Sequence, residues 1–145
     1  SAVYDMNHVF RSFKEFQGDI SQWDTSNALD MTDMFSRCSF NGDISNWNTS
    51  SVKKMAGMFR HSLFEGDISR WDVSKVANMQ AMFRSSAFNQ DISGWNPLHV
   101  SYFNEMFEES AYAHPLFLIT PHPLQHGRAL KECCIEARPC GLLSR

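Results

Sequence analysis

Two residue types recur at a spacing that could do chemistry. Asp19, Asp43, Asp67 and Asp91 stand 24 positions apart. If the chain stacks turn on turn at strand spacing, about 4.8 Å, their carboxylates form a close ladder. Like charges placed opposite one another repel. Backbone N–H groups and the adjacent Ser hydroxyls can offset them. A hard cation such as Ca²⁺ is the other solution, since carboxylates are its ligands, but no known Ca²⁺ loop is spelled out here. Trp23, Trp47, Trp71 and Trp95 keep the same period. Exposed, they would form an aromatic ladder for sugar rings; buried, they are the corner posts of a core. One large aromatic repeated at one column is what a repeated core requires, and the core is the expectation.

Other constellations are weaker. Cys133, Cys134 and Cys140 lie near His114, His122 and His126. His122 and His126 have half of a zinc spacing, but the Cys residues do not supply the other half. One disulfide among them is compatible with an oxidising compartment, and the sequence does not choose the pair. Every Ser and Asp that stands out belongs to a repeat column, whereas His61 and His99 occur singly. A nucleophile, base and acid are therefore not set apart. The chain reads as a non-enzyme, with no cofactor and no metal.

These ladders follow from a tandem repeat, which has to be read before any local motif. Four units follow one another, 16–39, 40–63, 64–87 and 88–111, after a half unit at 1–15. The columns are Phe16, Phe40, Phe64, Phe88; Ile20, Ile44, Ile68, Ile92; Trp23, Trp47, Trp71, Trp95; Met34, Met58, Met82, Met106; and Phe35, Phe59, Phe83, Phe107. Tyr112 opens a fifth unit that does not develop. In the half unit, Val3, Met6, Val9 and Phe10 repeat the spacing of Ala28, Met31, Met34 and Phe35. The gap from Phe10 to Phe16 is one residue longer than that from Phe35 to Phe40, so a unit holds 24 or 25 residues.

The second half of each unit predicts a short helix. At 100° per residue, Val52, Met55, Met58 and Phe59 fall within an arc of about 120°. Thr49 and Ser50 precede them as caps, and Pro97-Leu98 replace that pair in the fourth unit. Such a helix, about ten residues long, is stable only when packed on its neighbours. The first half predicts a short strand, because Asp43-Ile44-Ser45 alternates polar, apolar, polar. The expected fold is an α/β, leucine-rich-repeat-like solenoid. Each 24-residue turn would have one short strand and one short helix, with a thin parallel sheet on one side.

The 145 residues suffice for one domain with a core, and 43% of them are hydrophobic. A net charge of −3 gives no basic signature for nucleic acid. No apolar run approaches the roughly 20 residues that span a bilayer. Residues 1–111 hold 9 Lys+Arg against 14 Asp+Glu, while residues 112–145 hold 4 against 2. All eight Met and all four Trp precede that seam, and four of five Pro follow it. The chain thus divides into a repeat array and a tail. The tail reads either as a cap for the open end, limited to roughly 112–120, or as a disordered extension unrelated to the fold. No initiator Met or signal-peptide pattern opens the chain, and Ser1 falls within a repeat, so the sequence reads as a fragment or a processed chain.

The repeat sentence Phe40-Asn41-Gly42-Asp43-Ile44-Ser45-Asn46-Trp47, continued by Thr49-Ser50, Val52, Met55, Met58 and Phe59, resembles that of the BspA-type leucine-rich-repeat surface proteins. The resemblance covers residues 1–111. It implies a leucine-rich-repeat-like superhelix, a cell-surface or extracellular setting, and adhesive or partner-binding activity without catalytic residues. Solenoids bind through residues that vary on a regular frame. Here the varying columns are Gln17, Asn41, Glu65, Asn89 and Gln22, Asn46, Arg70, Gly94. Gln17, Gln22, Asn41, Asn46, Glu65, Arg70 and Asn89 are therefore the candidate partner-binding residues, on the expected strand side, for a protein or a surface glycan. A spacer with no ligand of its own is the alternative. Metal or glycan binding through the Asp or Trp ladders comes after both.

Overall fold

The structure, a computed structural model, describes residues 3–114. Its strands are β1, Tyr4–Asp5, and β2, Ala28–Asp30, paired in parallel with a register shift between Tyr4 and Asp5. Single parallel bridges carry the pairing onward from Asp30 to Lys54, Lys54 to Asn78 and Asn78 to Tyr102. Each repeat thus contributes one rung to a ladder that runs the length of the stack.

The expected helix in each turn does not form, and no helix occurs among the described residues. Residues 31–38 show why. Asp33 and Arg37 hold φ at 53° and 57°, the left-handed region that a right-handed helix excludes. The N–H groups of Met31, Asp33, Phe35 and Arg37 donate forward to the carbonyls of Lys54, Ala56, Met58 and Arg60. The intervening N–H groups of Met34, Ser36 and Cys38 donate three residues back, to Met31, Asp33 and Phe35. The segment is a ribbon of overlapping turns that spends half its donors on the next repeat. Equivalent forward bonds, four at each junction, tie 6–12, 31–37, 55–61 and 79–85 to the following turn at 2.6–3.0 Å. The apolar residues still face inward: Met31, Met34, Phe35, Met55, Met58 and Phe59 are buried. Their spacing fits a helix and this ribbon equally well.

The strand expected at Asp43-Ile44-Ser45 is also displaced. Asp43 Oδ1 accepts the N–H of Ser45 at 2.9 Å, and Trp47 donates its N–H back to Ile44. Polar–apolar–polar alternation there records two tight turns, with Ile44 buried between them. The parallel pairing lies instead at 28–30 and its equivalents, inside the stretch expected to start the helix. Nor do the hydroxyls of Thr25 and Thr49 cap helices. They donate to the carbonyls of Asn48 and Asp72, one turn on. Val73 fills the same buried position in the third unit.

Stacked rings make the core. Phe40, Phe64, Phe88 and Tyr112 are spaced 6.3–6.4 Å with planes within 4° of parallel. Phe35, Phe59, Phe83 and Phe107 form a second column at 5.5–5.7 Å. Offset stacking at such distances adds to the area buried. Gly42 lies where the chain passes its own ring, and a Cβ there would come within 2.7 Å of Phe40; in the fourth unit Gln90 takes that column beside a still buried Phe88. Trp47, Trp71 and Trp95 are buried, and each indole N–H donates to an Ile carbonyl of the preceding turn, Ile20, Ile44 or Ile68. Trp23 is 39% exposed. Tyr112, where the repeat sentence stops, is buried as the next member of the Phe column. The expectations for the rest of the tail lie outside the described residues from 115 onward.

Candidate binding surface

Two turn ladders carry the exposed face. In the first, Asp19, Asp43, Asp67 and Asp91 each accept the N–H of the Ser two residues on, at 2.8–2.9 Å. That bond to the backbone, seconded by the Ser hydroxyl, holds all four carboxyls below the usual Asp range. At Asp43 the like charges of Asp19 and Asp67 oppose the shift without reversing it. The protein's own N–H groups thus offset the ladder's repulsion. Among the described residues no group of three or more His, Cys, Asp or Glu is placed to hold a metal ion. The second ladder is Asp24, Asn48 and Asp72, which accept from Ser26, Ser50 and Ser74 in the same way.

The seven candidate partner-binding residues stand beside the first ladder, two positions before it or three after, and all are exposed. They lie on connecting turns rather than on the paired strands, which differs from the strand side expected. Three also work within the stack. Asn41 Oδ1 accepts the N–H of Glu65 at 2.8 Å, Asn89 Oδ1 accepts that of Ala113 at 2.9 Å, and Gln17 Nε2 donates to the Ser39 carbonyl. Gln22 reaches its neighbour, the Ser21 hydroxyl. Leu63, 62% exposed, stands out in a column otherwise filled by Ser39, Ala87 and Ala111. Reading that column for an outsized apolar residue would have found it.

A second charged site escaped sequence reasoning. Asp33 is buried in the turn ribbon and faces two guanidinium groups, Arg60 at 3.2 Å and Arg11 at 3.5 Å, and the His8 imidazole at 3.5 Å. Gly57 takes the equivalent position one turn on, at φ 60°. A Cβ there would overlap the Asp33 carboxylate. Glycine thus meets two demands at once, the left-handed backbone and the space for an ion pair. Further along, Arg84 pairs with Glu105 at 2.6 Å and Glu108 at 3.2 Å. The signal was the column His8, Asp33, Gly57, Ala81, Glu105, which changes charge from turn to turn.

Cys38 shares a column with Ser62, Ser86 and Ser110. Its thiol lies 3.2 Å from the Phe13 carbonyl, and burial pushes its pKa up, which keeps it protonated and unreactive. No helix among the described residues is long and apolar enough to cross a membrane.

No curated protein and no solved structure matches the chain. A family model described as "Mycoplasma protein of unknown function, DUF285" matches residues 1–62 and again residues 60–116. Those two matches take in every repeat laid out above, and the chain belongs to this repeat family of unknown function.

Proposed function

We propose that this protein is a non-enzymatic repeat module that binds a macromolecule, a protein or a surface glycan, on the face of the Asp ladder. The observation that carries the proposal is a division of labour within each turn. Phe, Ile, Trp and Met columns keep their identity and are buried, apart from the partly covered first turn. The columns beside the ladder change residue and are exposed. A rigid frame with variable side chains suits recognition, because little conformational freedom is lost on binding. Gln22, Asn46, Glu65 and Arg70 are the contact residues, since the side chains of Asn41, Asn89 and Gln17 are engaged within the stack. The resemblance to BspA-type surface proteins supports an adhesive role at the cell surface.

The test is capture on a glycan array and from a surface-protein extract by the full chain, set against a Gln22→Ala, Arg70→Ala double variant. Both side chains are exposed, so the fold should survive. Binding is expected to fall at least about tenfold, the effect of losing 1.4 kcal/mol of contact energy. Equal capture by both proteins would remove the ladder face as the binding surface. The bonds made by Asn41 and Asn89 favour a second reading, a spacer whose polar columns only join its turns. Under that reading neither protein captures anything.

A further inference from the structure

The column two places before the Asp ladder holds a reactive dipeptide in the middle of the stack. Gly42 follows Asn41, and no other Asn of the chain precedes a Gly. The backbone nitrogen after an Asn can attack the side-chain carboxamide carbon and close a succinimide ring. A side chain on the attacking residue crowds that ring and restricts the backbone that must turn into it. Glycine removes both obstacles.

The stack adds its own contribution. Asn41 is exposed to water, and its Oδ1 accepts the N–H of Glu65 from the next turn at 2.8 Å. That donor sits on the oxygen where negative charge gathers when the carboxamide carbon is attacked. The leaving nitrogen, Asn41 Nδ2, and the attacking N–H of Gly42 make no hydrogen bond among the described residues. Asn89 supplies an internal comparison. It is exposed in the same column, and its Oδ1 accepts the N–H of Ala113 at 2.9 Å, but Gln90 follows it. The first unit supplies another, since Gln17 stands in that column before Gly18.

We infer that Asn41 is a site of spontaneous covalent modification, its carboxamide converting to a carboxylate through a ring formed with Gly42. Gly42 N bonds to Asn41 Cγ, the Cγ–Nδ2 bond breaks, and ammonia leaves with the proton from Gly42 N. Water then opens the ring. Attack at Cγ gives aspartate at position 41. Attack at the main-chain carbonyl carbon gives isoaspartate, whose main chain runs through Cγ and is one carbon longer. Solvent water is the only co-reactant. Either product is ionised at neutral pH and stands two residues from Asp43 and in the column of Glu65. The ladder face thus becomes more negative with time, irreversibly and at a single turn. The inference goes beyond partner binding, because the reaction needs no partner.

Peptide mapping by mass spectrometry tests it, on the folded full chain held in mildly alkaline buffer and sampled over time. The peptide with Asn41 should gain the mass of an amide-to-acid exchange and resolve into aspartate and isoaspartate forms. Its rate should exceed that of the Asn89 peptide at least about tenfold. Gly42→Gln installs what the fourth unit already carries beside its buried Phe88, and should slow Asn41 about tenfold or more while leaving Asn89 unchanged. Asn41→Gln, the residue of that column in the first unit, should leave position 41 as an amide. An Asn41 that stays an amide in the parent chain overturns the inference. So does conversion no faster than at Asn89, or a rate that Gly42→Gln does not change.

Discussion

At the scale of single residues, the Asp ladder is a set of turn-formers whose charge is put to use. Each carboxylate of Asp19, Asp43, Asp67 and Asp91 is held below its ordinary pKa of 3.8 by the Ser N–H it accepts. Asp24 and Asp72 are lowered by the hydroxyl and N–H of Ser26 and Ser74. Groups with a depressed pKa bind fewer protons folded than unfolded, so stability rises with pH through the window around and below 3.8. Above that window the stabilisation is complete, and it is lost as pH falls toward the folded-state pKa values. Melting temperature should therefore be level from pH 7 to about 5 and drop below about 4. Asp43→Asn with Asp67→Asn keeps the accepting oxygen and removes the titration, so the drop should become shallower. An acid transition of unchanged depth would show that these turns do not carry it.

At the scale of elements, the repeat frame was legible and the path of the chain within it was not. Phase, column identity and the inward residues could be read because stacking identical turns demands identical side chains. The helix could not be told from the ribbon, because Val52, Met55, Met58 and Phe59 face one side in either. What separates them is the left-handed backbone at Asp33, Arg37, His61, Ala81 and Ser85, residue types that do not announce it. Each such non-glycine position costs about 1–2 kcal/mol, repaid by forward hydrogen bonds and by the rings packed beneath. Only Gly57 shows the requirement in its letter. The strand was misplaced for a related reason: a turn closed by Asp and Ser alternates as a strand does. Of the candidate surface, exposure of the varying columns was readable, since residues free to change are seldom core. The Asp33 ion-pair site was not, because its partners sit at separations of 22 to 27 residues with no shared motif.

At the scale of the whole molecule, the described residues form a stack with a buried axis of packed rings. Acrylamide quenching reads the axis. Trp47, Trp71 and Trp95 are 3–6% exposed and Trp23 is 39% exposed, so Trp23→Phe should remove most of the quenchable emission and leave a protected remainder. Four equally quenched indoles would contradict the stack. The central claim is that this stack is held by left-handed turn ribbons and not by helices, and Gly57→Ala puts the two against each other in one urea-unfolding experiment. In a helix interior, alanine in place of glycine stabilises by about 1 kcal/mol. In the ribbon, a Cβ at φ 60° strains the backbone and displaces the Asp33 carboxylate from Arg60. The expected outcome is a loss of about 2–4 kcal/mol; a variant as stable as the parent, or more so, would contradict it.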